Sequence, residues 1–217
     1  MIEAKQLVEY KYHYGSDKDI VNAARVSFAK EIETFEDKDA KLIRYLATHN
    51  HWTPFGHAGA TFRFKAPIFV ARQLVKHQVG LVWNEVSRRY VDSEPEFYFP
   101  DTWRGRPTGG AKQGSTGTVD NQEAWHAYAR RVCENGLEAY DFAIKEGVAP
   151  EQARMLLPLN HMTEWIWTGS LAAWARVYKL RMDPHAQYEV QEVVQHLNPF
   201  MQQIFPVSWS VLIDCTN

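Results

Sequence analysis

Residues 57–65 alternate in character, with Thr61, Arg63 and Lys65 on one side and Phe62 and Phe64 on the other. Successive side chains of a strand point to opposite faces, so this pattern predicts a strand with one wet and one apolar face. Pro67 follows at once, and proline favours the first turn of a helix, whose core side Ile68, Ala71 and Val75 would line. A strand that runs directly into a helix needs a second layer over its aromatic face. The rest of the chain has to supply that layer.

Further strands are expected at residues 5–13, at 96–99 before Pro100, and at 163–168. Helices are expected at 20–28 with Ser16 as a cap, from 34–37 to about 50, at 121–146 up to Gly147, from Pro150 to before Pro158, and from about Leu171. Asp183 and Pro184 read as a cap and first turn opening a helix through about Gln203. Residues 104–118 hold five of the 12 glycines and read as a long mobile loop. There is no internal repeat. The fold class is α/β (α+β): a central, mostly antiparallel sheet flanked by helices, in one domain covering residues 1–217.

Charge and cysteine content exclude several functions. The net charge of -2, from 24 Lys+Arg against 26 Asp+Glu, gives no basic field for extended nucleic acid. Aromatic residues make up 13% of the chain and suit planar ligands or large subunit contacts. The two cysteines, Cys133 and Cys215, form neither a disulfide framework nor a zinc spacing, and no metal is expected. Cys133 falls within an amphipathic pattern and reads as a packed thiol. The first residues lack the apolar run of a signal peptide and no window has the length of a membrane span, so a cytoplasmic location is expected. A nucleophile elbow, a Walker loop and a GxGxxG fingerprint are absent.

Chemistry concentrates in two stretches. Arg72 to Gln78 would put Arg72 with Lys76, and Gln73 with His77, on one helical face, able to hold a phosphate and read a base edge. The bland alternative is cations complementing a helix C-terminus. Glu85, Ser87, Arg88 and Arg89, placed soon after, favour phosphate recognition instead. In the second stretch, Arg181 would precede a helix N-terminus and could stabilise negative charge on a ligand carbonyl. Taken singly, Arg181 could merely pair with Asp183, Arg154 with Glu151, and His185 could be a surface residue.

Together these stretches resemble the flavin-dependent thymidylate synthases, from about Asn22 to Gln191. The resemblance rests on Ala23-Ala24-Arg25-Val26-Ser27, His51-Trp52-Thr53-Pro54-Phe55-Gly56-His57, Ala66 to Gln73, and Glu96-Phe97-Tyr98. Lys112 to Ser115, Ala153-Arg154, Leu157 to Asn160, Thr168 to Leu171, Leu180-Arg181 and His185 to Gln187 complete it. It implies a homotetramer with active sites shared between subunits, binding dUMP and FAD, with NADPH and methylenetetrahydrofolate as co-substrates. By the same resemblance Arg181 is the catalytic arginine that polarises the pyrimidine, and no cysteine attacks. Gln73, Lys76, Glu85, Ser87, Arg88, Arg89, Arg154 and Arg181 match dUMP positions. Ser27, Thr53, Lys76, His77, Gln78, Asn84, Ser170, Arg176 and His185 are expected on the flavin side, and His51 near the folate and flavin.

The signature departs from the family pattern. Lys76-His77-Gln78 stands where Arg-His-Arg is usual, with one extra residue before Ser87. Ala172 stands where members carry Arg, and Arg176, one turn on, is placed to replace it. These departures keep three alternatives open: another pyrimidine deoxynucleotide such as dCMP, transfer of a hydroxymethyl group, and a catalytically silent nucleotide- or RNA-binding relative.

Overall fold

The computed structural model describes residues 1–91, 93–107 and 114–214. In chain order it runs β1 (Ile2–Glu3), β2 (Leu7–Tyr14), α1 (Asp17–Arg25), α2 (Asp37–Thr48), β3 (Gly59–Pro67), α3 (Ile68–Leu74) and β4 (Leu81–Glu85). Then follow β5 (Glu96–Phe97), β6 (Arg104–Gly105), β7 (Thr116–Thr118), α4 (Gln122–Lys145) and α5 (Pro150–Ala153). The chain closes with β8 (Met162–Ser170), α6 (Leu171–Arg181), α7 (Tyr188–Val194), α8 (Leu197–Ile204) and α9 (Pro206–Asp214). Among the described residues no helix is long and apolar enough to cross a membrane.

The central sheet has four strands in the order β2-β3-β8-β4, each pair antiparallel. Its register turns the alternation of 57–65 into a core. Phe62 lies opposite Trp167 and Phe64 opposite Trp165, and all four are buried. Trp83 of β4 stacks on Trp165 with ring centres 4.2 Å apart. Helix α6 covers this face: Trp174 stands edge-on to Phe62 at 5.3 Å, and its indole N–H donates to the Ala60 carbonyl at 3.0 Å. The opposite face is largely open to solvent, although Thr61 is buried on it. There Thr61 shares a hydrogen bond with Thr168 at 2.9 Å, and Arg63 Nε donates to Glu164 at 2.8 Å. Val82 and Ile166 lie exposed on the same face. A second apolar cluster, containing Phe97, Phe99, Cys133, Tyr140 and Leu157, joins α4 to the chain leading into β8.

Several expectations need correction. The helix opened by Pro67 stops at Leu74, so Val75 is its cap and His77 lies in the following turn. The helix expected from Asp183 begins only at Tyr188, because Asp183 Oδ1 accepts the backbone N–H of His185 at 2.7 Å and folds the chain into a local turn. It breaks again after Val194, where Pro199 has no N–H to offer the Gln195 carbonyl. Strand β4 falls where none of the expected strands lies. Within the expected mobile loop, Arg104 pairs with Thr118 and Gly105 with Thr116; residues 108–113 lie outside the described residues.

The buried carboxylate of Asp17 ties the first helix to the last. It accepts the backbone N–H groups of Val207 at 2.9 Å and Ser208 at 3.1 Å, two donors that the first turn of α9 leaves unpaired.

Candidate active site

Helix α6 is set against the sheet by Ser170, whose Oγ accepts the N–H of Ala173 at 3.3 Å as an N-cap. Its far end carries Arg181. The sequence predicts this residue before a helix N-terminus; it is instead the last residue of a helix, where the dipole favours a cation.

The turn after α3 meets Arg181 from the other side. Arg181 Nε donates to His77 Nε2 at 2.8 Å, and Nη2 donates to the Gln73 carbonyl at 3.4 Å. A histidine that accepts at Nε2 has to be neutral, with its proton on Nδ1. Burial, and then the positive charges of Arg181 and Arg176, push the His77 pKa down to about 4. Burial also lowers that of Arg181. The turn itself is held in place by backbone: Gly80 has φ +77°, its carbonyl accepts Ser170 N–H at 3.1 Å, and an added Cβ would sit 3.0 Å from that of Ala173. Arg176 Nη2 donates to the Val79 carbonyl, so this guanidinium braces the same turn.

Arg181 lines a cavity of about 920 Å³ together with Gln73, His185 and Gln187. The aromatic wall comes from Phe69, Tyr98, Trp103, Trp125 and Tyr128. Trp103 Nε1 is buried and has no hydrogen-bond partner among the described residues. Cys133 also lines the cavity. Its Sγ lies 3.4 Å from Asn160 Oδ1 and burial pushes its pKa up, which disfavours the nucleophilic thiolate. Cys215 lies outside the described residues.

The other nucleotide candidates gather elsewhere. Glu85, Arg88 and Arg154 line a second pocket of about 370 Å³ with Lys65 and His161. Glu85 is fixed by Thr163 Oγ1 at 2.8 Å and Trp83 Nε1 at 3.2 Å. Arg88 donates to the Ser93 carbonyl at 2.9 Å. Arg154 donates to the backbone carbonyl of Glu151 at 3.2 Å, not to its carboxylate. Arg89 donates to Ser87 Oγ at 3.0 Å and lies over the Tyr90 ring. Lys76, Gln78 and Asn84 are exposed. Ser27 and Thr53 are exposed on short 3-10 turns, and His51 stacks on Tyr45 at 6.1 Å. His185 is exposed and bonded to Asp183 at 3.0 Å.

Sequence reasoning missed Glu189, Arg104 and His161. Glu189 is buried and paired with Arg104 at the cavity wall. Its signal was available: it falls four residues before Val193, on the apolar face of α7. His161 is held by Pro158, with Nδ1 2.7 Å from its carbonyl, and burial lowers its pKa. No spacing in the sequence singles it out.

The same architecture occurs in a solved structure, that of a UMP/dUMP methylase PolB from Streptomyces cacaoi bound with 5-Br dUMP. It matches with a TM-score of 0.87 at 29% identity, covering 97% of this chain and 95% of that one. Fold, cavity and this likeness define a methyltransferase enzyme. A family model described as thymidylate synthase complementing protein matches residues 6–207. A flavin-dependent thymidylate synthase of Thermus thermophilus is 39% identical over 196 residues, covering 90% of this chain and 71% of the relative. One from Thermosipho africanus is 38% identical over 201 residues, covering 92% and 87%. The chain belongs to the flavin-dependent thymidylate synthase family.

Proposed function

We propose that the protein converts dUMP to dTMP by reductive methylation, with methylenetetrahydrofolate as carbon donor and FAD reduced by NADPH. The observation that carries this reading is the Arg181–His77 pair at the edge of the large cavity. A neutral imidazole holds one edge of the guanidinium, and its remaining N–H groups are left for a ligand. Donors fixed in a partly desolvated place stabilise charge developing on a ring carbonyl, and so make C5 of the pyrimidine electron-rich. The buried thiol of Cys133 supports a route without cysteine attack.

The flavin would be held by Ser27, Thr53, Lys76, His77, Gln78, Asn84, Ser170, Arg176 and His185, with His51 beside it and the folate. Exposed hydroxyls on Ser27 and Thr53, and exposed cations on Lys76 and Arg176, suit a group that carries phosphates. When bound, the flavin supplies the reducing equivalents. Ser170 already caps α6, so its hydroxyl serves the helix as well.

Gln73 and Arg181 line one cavity while Glu85, Arg88 and Arg154 line another. This division supports a homotetramer in which one copy completes the nucleotide site of the next. Exposed Val82, Val86, Met155 and Leu159 are the apolar surface such contacts would cover.

A second reading, methylation of UMP, is favoured by the likeness to the UMP/dUMP methylase. Incubation of the purified protein with FAD, NADPH, methylenetetrahydrofolate and dUMP, UMP or dCMP, read by product mass, tests both. A gain of one methyl group on dUMP is expected; no product from any of the three would overturn the proposal.

A further inference from the structure

A chain of hydrogen bonds runs from a buried carboxylate to the cavity. Glu189 is 6% exposed, and its Oε1 accepts Arg104 Nη2. Its Oε2 accepts Gln187 Nε2 at 2.9 Å. Gln187 Oε1 then accepts Gln73 Nε2, and the backbone carbonyl of Gln73 accepts from Arg181. Gln73, Gln187 and Arg181 all line the large cavity.

The direction of this chain is forced by chemistry. A carboxylate in an ion pair can only accept, so the edge of Gln187 facing Glu189 has to be its NH₂. Its carbonyl oxygen therefore faces Gln73, which answers with its own NH₂. The group of Gln73 left over is Oε1, and no donor among the described residues reaches it. Without Glu189 both amides could rotate by half a turn at little energetic cost, and Gln73 would offer either end to a ligand.

We infer that Glu189 acts through Gln187 as a positioning residue that fixes Gln73 as an acceptor, and that this acceptor selects a uracil-type ring by its N3–H. The inference rests on the proposed nucleotide site. Arg181 offers donors and Gln73, beside it, offers an acceptor. A ring carbonyl next to an N–H answers that pattern, and uracil has this arrangement on both sides of N3. Cytosine has a lone pair at N3, which would face the lone pairs of Gln73 Oε1. An unmatched polar group in a partly buried site discriminates far better than a missing contact.

The experiment is equilibrium binding of dUMP, dCMP and N3-methyl-dUMP to the full chain and to two variants, Glu189→Gln and Gln187→Met. The wild type is expected to bind dUMP at least about tenfold more tightly than either other nucleotide, the loss of one matched hydrogen bond. In Glu189→Gln, Arg104 can only donate and so holds the amide oxygen. The new NH₂ faces Gln187, both glutamines turn over, Gln73 presents its own NH₂, and the dUMP-to-dCMP ratio is expected to fall below unity. Gln187→Met, which keeps the length of the side chain but breaks the relay, leaves Gln73 free to offer either end, and its dUMP-to-dCMP ratio is expected to fall to within about threefold of unity. Because the readout is a ratio within one variant, a general loss of stability lowers both affinities and leaves it unmoved. A wild type that prefers dUMP while both variants keep that preference overturns the relay and spares the nucleotide site. A wild type that binds dUMP and N3-methyl-dUMP equally overturns the relay as well. A wild type that binds none of the three overturns the nucleotide reading, and the relay with it.

Discussion

Arg181 and His77 are 104 residues apart in sequence, yet Nε of one donates to Nε2 of the other at 2.8 Å. The arginine ends α6 and the histidine lies just past α3, so the packing of both helices against the sheet sets the aim of the guanidinium.

Arg181→Lys keeps the charge but loses the N–H that His77 accepts and the planar fork. Turnover of dUMP is expected to fall by about a hundredfold or more, with the melting temperature within a few degrees of wild type. Steady-state kinetics beside a thermal melt checks this; near-normal kcat in a folded lysine variant would remove Arg181 from the chemistry.

The depressed pKa of His77 ties stability to pH. An unfolded chain takes up a proton at His77 near pH 6.5, and the folded chain only near about pH 4. The stabilisation is therefore full above pH 6.5 and is lost as pH falls toward 4. In His77→Gln, which cannot titrate, stability measured by urea unfolding is expected to drop less between pH 7 and pH 5, by about 1 kcal/mol after allowing for partial exposure. Equal drops in both proteins would contradict the assignment.

Cys133→Ser combined with Cys215→Ser is expected to keep methyl transfer within about threefold of wild type. The Cys133 thiol is buried against Asn160 and its ionisation is disfavoured, so a hydroxyl in its place costs about 1 kcal/mol of packing. Abolished turnover in a folded double variant would bring back a sulfur nucleophile.

Asp17→Ala removes the acceptor for two backbone N–H groups at the start of α9 and leaves them buried. A loss of about 2–3 kcal/mol in urea unfolding is expected. Asp17→Asn, which retains one acceptor, is expected to lose less.

Much of the sheet was legible because its period shows directly: Phe62 and Phe64 against Thr61, Arg63 and Lys65 gave both the strand and its buried face. Strand β4 was not legible. Its five residues, Leu-Val-Trp-Asn-Glu, are too few for a period to emerge, and Leu81 and Trp83 face the core only because β8 lies alongside. Asp183-Pro184 misled because a side chain that can cap a helix can equally close a local turn, and the His185 N–H decided between them. Arg72 and Lys76 read as one helical face, but α3 ends at Leu74, before Lys76. The Glu189–Gln187–Gln73 chain needs tertiary contact between α7 and α3, which no spacing in the sequence encodes.

The turn from Val75 to Gly80 is secured by backbone contacts: Leu74 and Gln78 carbonyls accept His77 and Leu81 N–H groups, and Gly80 supplies the positive φ. Lys76 and Gln78 project from it without taking part in the core. Residues at these two positions can therefore drift without endangering the fold. That freedom makes this short segment a natural place for descendants of one ancestor to acquire new ligand preferences.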